Sequence, residues 1–173
     1  MFVKRIATAF ALVLGFAGAA MAQAQAQSPS PTRIEQFKAW GAYSYKSGKN
    51  TVCYVLSVPT TKEPASVNHG DIFFIVSQRP GQNISYEPQA MMGYALKTGS
   101  KVTVKIDAKS FTMFTKDSAA WVENAAEEPA LVAAMKSGKT MSVQAVSGRG
   151  TPTSYTYSLQ GVSDAFKRIE KCK

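Results

Sequence analysis

The stretch KVTVKID (Lys101–Asp107) decides the fold class. Val102, Val104 and Ile106 alternate with Lys101, Thr103 and Lys105, and a period of two puts the apolar set on one face of a strand and the polar set on the other. SFTMFTK (Ser110–Lys116) repeats the alternation, with Phe111 and Met113 inward and the threonines outward. Such segments describe an antiparallel sheet with one dry and one wet face.

Similar segments extend in both directions. WGAYSYK (Trp40–Lys46), the Gly-containing turn SGKN and TVCYVLSV (Thr51–Val58) read as a hairpin. DIFFIVSQR (Asp71–Arg79) is strongly apolar, which predicts a strand covered on both faces. RPGQN breaks it, QAMMGYAL (Gln89–Leu96) resumes it, and KTGS turns the chain into Lys101. SAAWVE is too short to assign. TMSVQAVS and TSYTYSL look like an antiparallel pair joined through GRGTP.

Two segments break the period of two. EEPALVAAMKSGK places Glu127, Glu128 and Pro129 in a first helical turn, Lys136 in the last and Gly138 just beyond. That order matches helix start and stop chemistry and the macrodipole. Leu131, Val132 and Met135 give this helix one narrow apolar face. In the tail, Val162, Ala165, Phe166, Ile169 and Cys172 recur at helical spacing, so Cys172 shares the core-facing side. Ser163 is the expected N-cap, with Asp164 in the first turn. The expected architecture is therefore mainly β, an antiparallel β-sandwich or flattened barrel with two short helices, the last a C-terminal cap.

The chain begins MFVKRIATAFALVLGFAGAAMA. Lys4 and Arg5, the apolar run Ile6–Ala20 and the small-x-small pattern Ala20-Met21-Ala22 predict a signal peptide over 1–22, cut after Ala22; a cut after Ala26 fits as well. The run falls short of the ~20 residues that cross a bilayer, and no cysteine follows it to carry a lipid. Residues 23–33 are small, polar and proline-bearing, as in a flexible mature N-terminus. Residues 34–173 have the length of one ordinary domain. Loss of Lys4 and Arg5 lowers the formal charge from +9 to +7 (9 − 2).

Export decides how the two cysteines are read. In an oxidising compartment, Cys53 in an apolar strand and Cys172 on a core-facing helix side predict a disulfide across 119 residue steps (172 − 53). The chain-entropy model gives about 5 kcal/mol for such a loop, and measured disulfides are typically worth about 2–4 kcal/mol.

Little in the chain points to catalysis. The single histidine, His69, has Asp71 only two residues away, a poor orienter for a Ser-His-Asp site. A structural zinc site needs four ligands, and no Asp-x-Asp-x-Asp-Gly loop is present for calcium. GRG (Gly148–Gly150) joins two strands and precedes no helix, unlike a phosphate loop. No enzyme activity, cofactor or metal is expected. Beyond the signal peptide, lysines and arginines are spread singly and no run exceeds the pair Lys167–Arg168, a pattern that fits an anionic envelope or acidic protein partner, or simply a solvated sheet face, better than nucleic acid. Arg79, Tyr86, Arg149 and Tyr155 stand near strand ends, where they could form a recognition edge; ordinary turn decoration is the competing explanation.

The mature domain resembles the invasion-associated locus B family of exported alphaproteobacterial proteins. The likeness rests on WGAYSYKSGKNTVCYVLSVP, NHGDIFFIVSQRPGQN, MMGYALKTGSKVTVKID and FTMFTKDSAAWV, and on the order of AMKSG, GRGT, YSLQG and Cys172. His69 stands where relatives often carry arginine, and Ser154 where an acidic residue is common. The resemblance implies a periplasmic or envelope-associated protein, linked in pathogenic relatives to host-cell entry, and brings no catalytic residues with it. The expected function is an exported binding module with a protein or envelope partner. A structural or chaperone-like envelope component is the alternative, and an enzyme with an unrecognised site a more remote one. An uncovered apolar patch would favour binding or chaperoning, and a convergent cluster of buried ionisable groups an enzyme.

Overall fold

Four tight hairpins set the antiparallel order. Phe37 pairs with Trp40, Ser47 with Asn50, Ile106 with Lys109 and Lys116 with Ala119, so each hairpin closes through two loop residues. The first loop residue has positive φ in every case: Lys38, Gly48, Asp107 and Asp117. Loops this short need that conformation to follow the strand twist. The computed structural model describes residues 30–172. The signal peptide over 1–22, its cut after Ala22 and most of the flexible stretch 23–33 lie outside the described residues.

The strands are β1 (Thr32–Phe37), β2 (Trp40–Ser47), β3 (Asn50–Ser57), β4 (Thr61–Glu63), β5 (Phe73–Arg79), β6 (Ile84–Met91), β7 (Lys101–Ile106), β8 (Lys109–Lys116), β9 (Ala119–Val122), β10 (Thr140–Val146) and β11 (Pro152–Ser158). They form one open antiparallel sheet in the order β1-β2-β3-β5-β6-β9-β8-β7-β10-β11-β4. The sheet rolls over on itself. Phe74 of β5 meets Tyr157 of β11 edge-on at 6.0 Å, although five strands separate them in the sheet. At the seam, Trp40 Nε1 donates to the Ser158 carbonyl at 2.9 Å and the Ala39 amide to the Gln160 carbonyl at 3.2 Å. One apolar core fills the interior, including Val102, Val104 and Ile106 from the alternating stretch.

Two helices pack inside the roll: α1 (Glu128–Ser137) and α2 (Val162–Glu170). The ends of α1 fall where the sequence places them, with Pro129 in the first turn and Gly138 as C-cap. The start of α2 differs from expectation. Gly161, with φ 88°, occupies the N-cap, and a Cβ there would lie 2.0 Å from the Phe37 carbonyl oxygen. Ser163 instead donates its hydroxyl to the Lys136 carbonyl at 3.3 Å, tying α2 to the end of α1. From Gly161 the helix runs along β2 and β3 to Cys172, which is disulfide-bonded to Cys53 with a Cα–Cα distance of 5.8 Å.

Other expectations need correction. SAAWVE contains a true strand, β9. Residues 93–98 leave the sheet, with Leu96 making only an isolated bridge to Ser147, and β6 instead begins at Ile84 and includes Pro88. Proline is tolerated because the ladder to β9 runs only over Gln89–Met91, so Pro88 owes that neighbour no amide proton. β1 begins at Thr32, inside the stretch expected to be flexible. β5 is buried on one face only: Phe74, Val76 and Gln78 are buried, whereas Phe73, Ile75 and Ser77 remain half-exposed.

Candidate functional site

That half-exposed face of β5 belongs to a larger surface. On the outer side of the sheet, Leu56 pairs with Ile75, Ile75 with Gln89, Gln89 with Trp121 and Trp121 with Phe114. Side chains directly opposite in an antiparallel pair share a face, so these residues form one row across β3, β5, β6, β9 and β8. The Phe114 and Trp121 rings stack with centroids 5.8 Å apart, and Phe114 is 41% exposed. Phe73 and Met91 pair beside this row. None of these six apolar residues belongs to the core cluster or packs against it. Both helices lie on the inner side, with Cys53, so no described helix covers the row.

The other half of the same sheet provides the contrast. On β7, β10 and β11 the outward positions include Thr103, Lys105, Ser142, Gln144, Ser154 and Thr156. Both halves are antiparallel, but their outward side chains differ. A polar outer face is the ordinary solution for a one-layer sheet. An apolar row on such a face is a candidate interaction surface.

Aromatic packing extends the row toward β2. Tyr43 stacks on Tyr54 at 5.3 Å, Tyr45 meets Tyr54 edge-on at 6.2 Å, and the Arg33 guanidinium lies 5.7 Å from the Tyr43 ring centre. Gly41 makes room for this cluster, since a Cβ there would approach the Tyr43 ring to 2.7 Å. Ion pairs Arg79–Glu87 and Lys101–Glu123 border the row. An apolar centre with charged residues at its rim is the usual anatomy of a protein interface. The sheet edges are less inviting. β4 has only three residues, and β1 carries Arg33 and Glu35 across a register shift, features that discourage strand addition.

The four residues expected to form a recognition edge do not come together. Arg79 pairs with Glu87 beside the apolar row. Tyr86 turns inward against Phe166 at 5.4 Å, with the Lys136 ammonium 5.2 Å from its ring centre. Arg149 lies in the β10–β11 turn, at the far end of the sheet, whose amide Gly148 donates to the Ala95 carbonyl at 2.7 Å. Tyr155 is fully buried and cannot serve an exposed edge directly.

Tyr155 instead holds His69. The His69 Nε2 lies 3.0 Å from the Pro64 carbonyl, which can only accept, so this nitrogen carries a proton. Nδ1 is 2.8 Å from the Tyr155 hydroxyl, which lies 2.9 Å from the Tyr94 hydroxyl, itself 2.6 Å from Thr153 Oγ1. Burial, reinforced by the hydrogen bond with Tyr94, raises the Tyr155 phenol well above its ordinary value. It therefore stays protonated as a neutral link in the chain. Tyr86 is raised as well, first by burial and then by Glu170. Among the described residues no three His, Cys, Asp or Glu side chains gather as a metal site, and no described helix is long and apolar enough to cross a membrane.

The sequence carries a signal for the apolar row, but the same signal predicts burial. Phe73 and Ile75 break the polar–apolar alternation of β5, which fits burial beneath a second layer as well as exposure for docking. Only the three-dimensional arrangement separates the two. Trp121 was hidden in a segment too short to assign.

Comparison with curated proteins and with solved structures yields no match. The model of one protein family, described as invasion associated locus B (IalB) protein, matches residues 40–170, from the first residue of β2 to the last of α2. The match takes in every strand that builds the apolar row and the helix that carries the tail to Cys172, and the chain therefore belongs to the invasion associated locus B family.

Proposed function

We propose that this protein is an exported, non-enzymatic binding module of the periplasm or cell envelope that docks a protein partner on the outer face of β3, β5, β6, β9 and β8. The observation that carries this reading is the uncovered row Leu56–Ile75–Trp121–Phe114, set against the polar outer face of β7, β10 and β11. A second layer of protein would remove this apolar area from water, worth about 25 cal/mol per Å², and Trp121 is the kind of aromatic anchor that dominates interface energetics. Family membership and the Cys53–Cys172 bond support export, because disulfides persist in oxidising compartments.

Site-specific photo-crosslinking in the native envelope tests the reading. A photoreactive side chain at Phe114 should give a discrete adduct, and the same group at Gln144, on the polar half of the sheet, should not. Equal labelling from both positions would refute the assignment. Adducts from Phe114 to many unrelated envelope proteins would favour a chaperone-like role, which the same uncovered face could serve. Fractionation should recover the mature chain in the periplasm.

A further inference from the structure

At the end of the rolled sheet near the β10–β11 turn, a cleft of about 690 Å³ opens between the loop that carries His69, the Tyr94–Ala95 segment and the turn itself. Its volume falls within the range of about 300–1,000 Å³ typical of small-molecule sites. The polar groups of its lining include Asn68, His69, Tyr94, Ser147, Arg149 and Thr153, and among the described residues the lining contains no carboxylate. Glu63, on the adjoining strand, lines the neighbouring groove and accepts from the Ala65 amide.

Floor and rim differ in how their polar groups are satisfied. In the floor, His69, Tyr94 and Thr153 are joined through the hidden Tyr155 into one hydrogen-bonded chain, which fixes the imidazole and the hydroxyls in place. Because both ring nitrogens of His69 are engaged, by Tyr155 and by the Pro64 carbonyl, the floor is a rigid wall that keeps its shape when a ligand enters. At the rim, Arg149 is exposed, and it has no acidic partner among the ion pairs of the described residues. Arg79 and Arg168 both have one. The turn that presents Arg149 is itself braced, with the Thr151 amide bonded to Ser147 Oγ at 3.1 Å and Gly150 at φ 86°. A free guanidinium at the mouth of a cleft that has no carboxylate among its described lining residues complements an anion.

We infer that this cleft binds a small organic anion, a carboxylate or a phosphate ester, with Arg149 pairing its charge and the internally bonded His69–Tyr94–Thr153 floor forming the rigid wall beneath it. The site lies apart from the apolar row and stands or falls independently of the proposed docking function.

The chain has one histidine, so the imidazole ¹⁵N resonances of the intact mature protein report on the cleft without assignment. The titrants are succinate for the carboxylate class, inorganic phosphate for the phosphate class and uncharged succinamide as control, all at fixed pH and ionic strength. The expected result is a saturable shift of the His69 resonances with at least one anion and none with succinamide. Arg149→Gln should weaken that binding at least tenfold, and Lys109→Gln, on the β7–β8 hairpin, should leave it unchanged. No saturable shift with either anion, an equal response to succinamide, or unaltered affinity in Arg149→Gln would each overturn the inference. Arg149 is exposed in a turn, and an unchanged melting temperature for its variant shows that lost binding is not lost folding.

Discussion

Tyr155 and Tyr157 lie two residues apart on β11, both fully buried and both facing the core, yet their hydroxyls have opposite fates. Tyr155 links His69 to Tyr94, whereas the Tyr157 hydroxyl is buried with no hydrogen-bond partner among the described residues. An unsatisfied buried polar group costs about 1–3 kcal/mol, and removing one side of a made bond leaves the other side unsatisfied. Tyr157→Phe should therefore be neutral or stabilising by up to about 1 kcal/mol. Tyr155→Phe should destabilise by about 1–3 kcal/mol, since it strands His69 Nδ1. Urea denaturation of the two variants measures both; a clear loss of stability in Tyr157→Phe would contradict this account. TSYTYSL reads as a strand with Tyr155 expected at a recognition edge, and nothing in it tells that the ring is buried or which hydroxyl finds a partner. That depends on His69 and Tyr94, which are distant in sequence.

At the scale of elements, α2 shows what was legible and what was not. The spacing of Val162, Phe166, Ile169 and Cys172 identified the buried face, and all four are buried. The N-cap was misassigned because Gly161 is required by the carbonyl of Phe37, a residue on the β1–β2 hairpin that local sequence cannot bring into view. Gly161→Ala should consequently destabilise the protein through both positive φ and the clash. Cys172→Ser should lower stability by about 2–4 kcal/mol, an estimated fall of roughly 10 °C in Tm, with the loss confined to oxidising conditions. Identical melting curves for the variant and the oxidised parent would exclude the tail as a stabilising tether. The β6 assignment failed for a related reason: Pro88 argues against a strand until the shortness of β9 is known.

For the whole molecule, strand order was beyond the sequence. Pairings such as β6 with β9 and β7 with β10 join segments separated by long connections, and nothing in either strand names its neighbour. The inner face was legible from alternation; the outer face was misread because an uncovered apolar row and a covered one have the same pattern. The roll also buries tyrosines, with consequences at high pH. Burial raises the phenols of Tyr155 and Tyr157 above the ordinary value of 10.0. Their folded values exceed the unfolded ones, so the stability they contribute is fully present below pH about 10 and is lost as pH rises beyond it. Phenolate absorbance should show these two tyrosines titrating only as circular dichroism reports unfolding. Ionisation of all seven tyrosines before any loss of structure would contradict the burial described here.

Partner binding, as proposed, is concentrated on the apolar half of the outer sheet face. The most direct test is the affinity of the partner captured at Phe114, measured by surface plasmon resonance against Ile75→Ala/Trp121→Ala and against Gln144→Ala. An interface anchored on this row predicts a loss of at least about tenfold for the double variant, roughly 1.4 kcal/mol, with Gln144→Ala equal to the parent. Unchanged affinity in the double variant, with its melting temperature preserved, would place the binding surface elsewhere on the molecule.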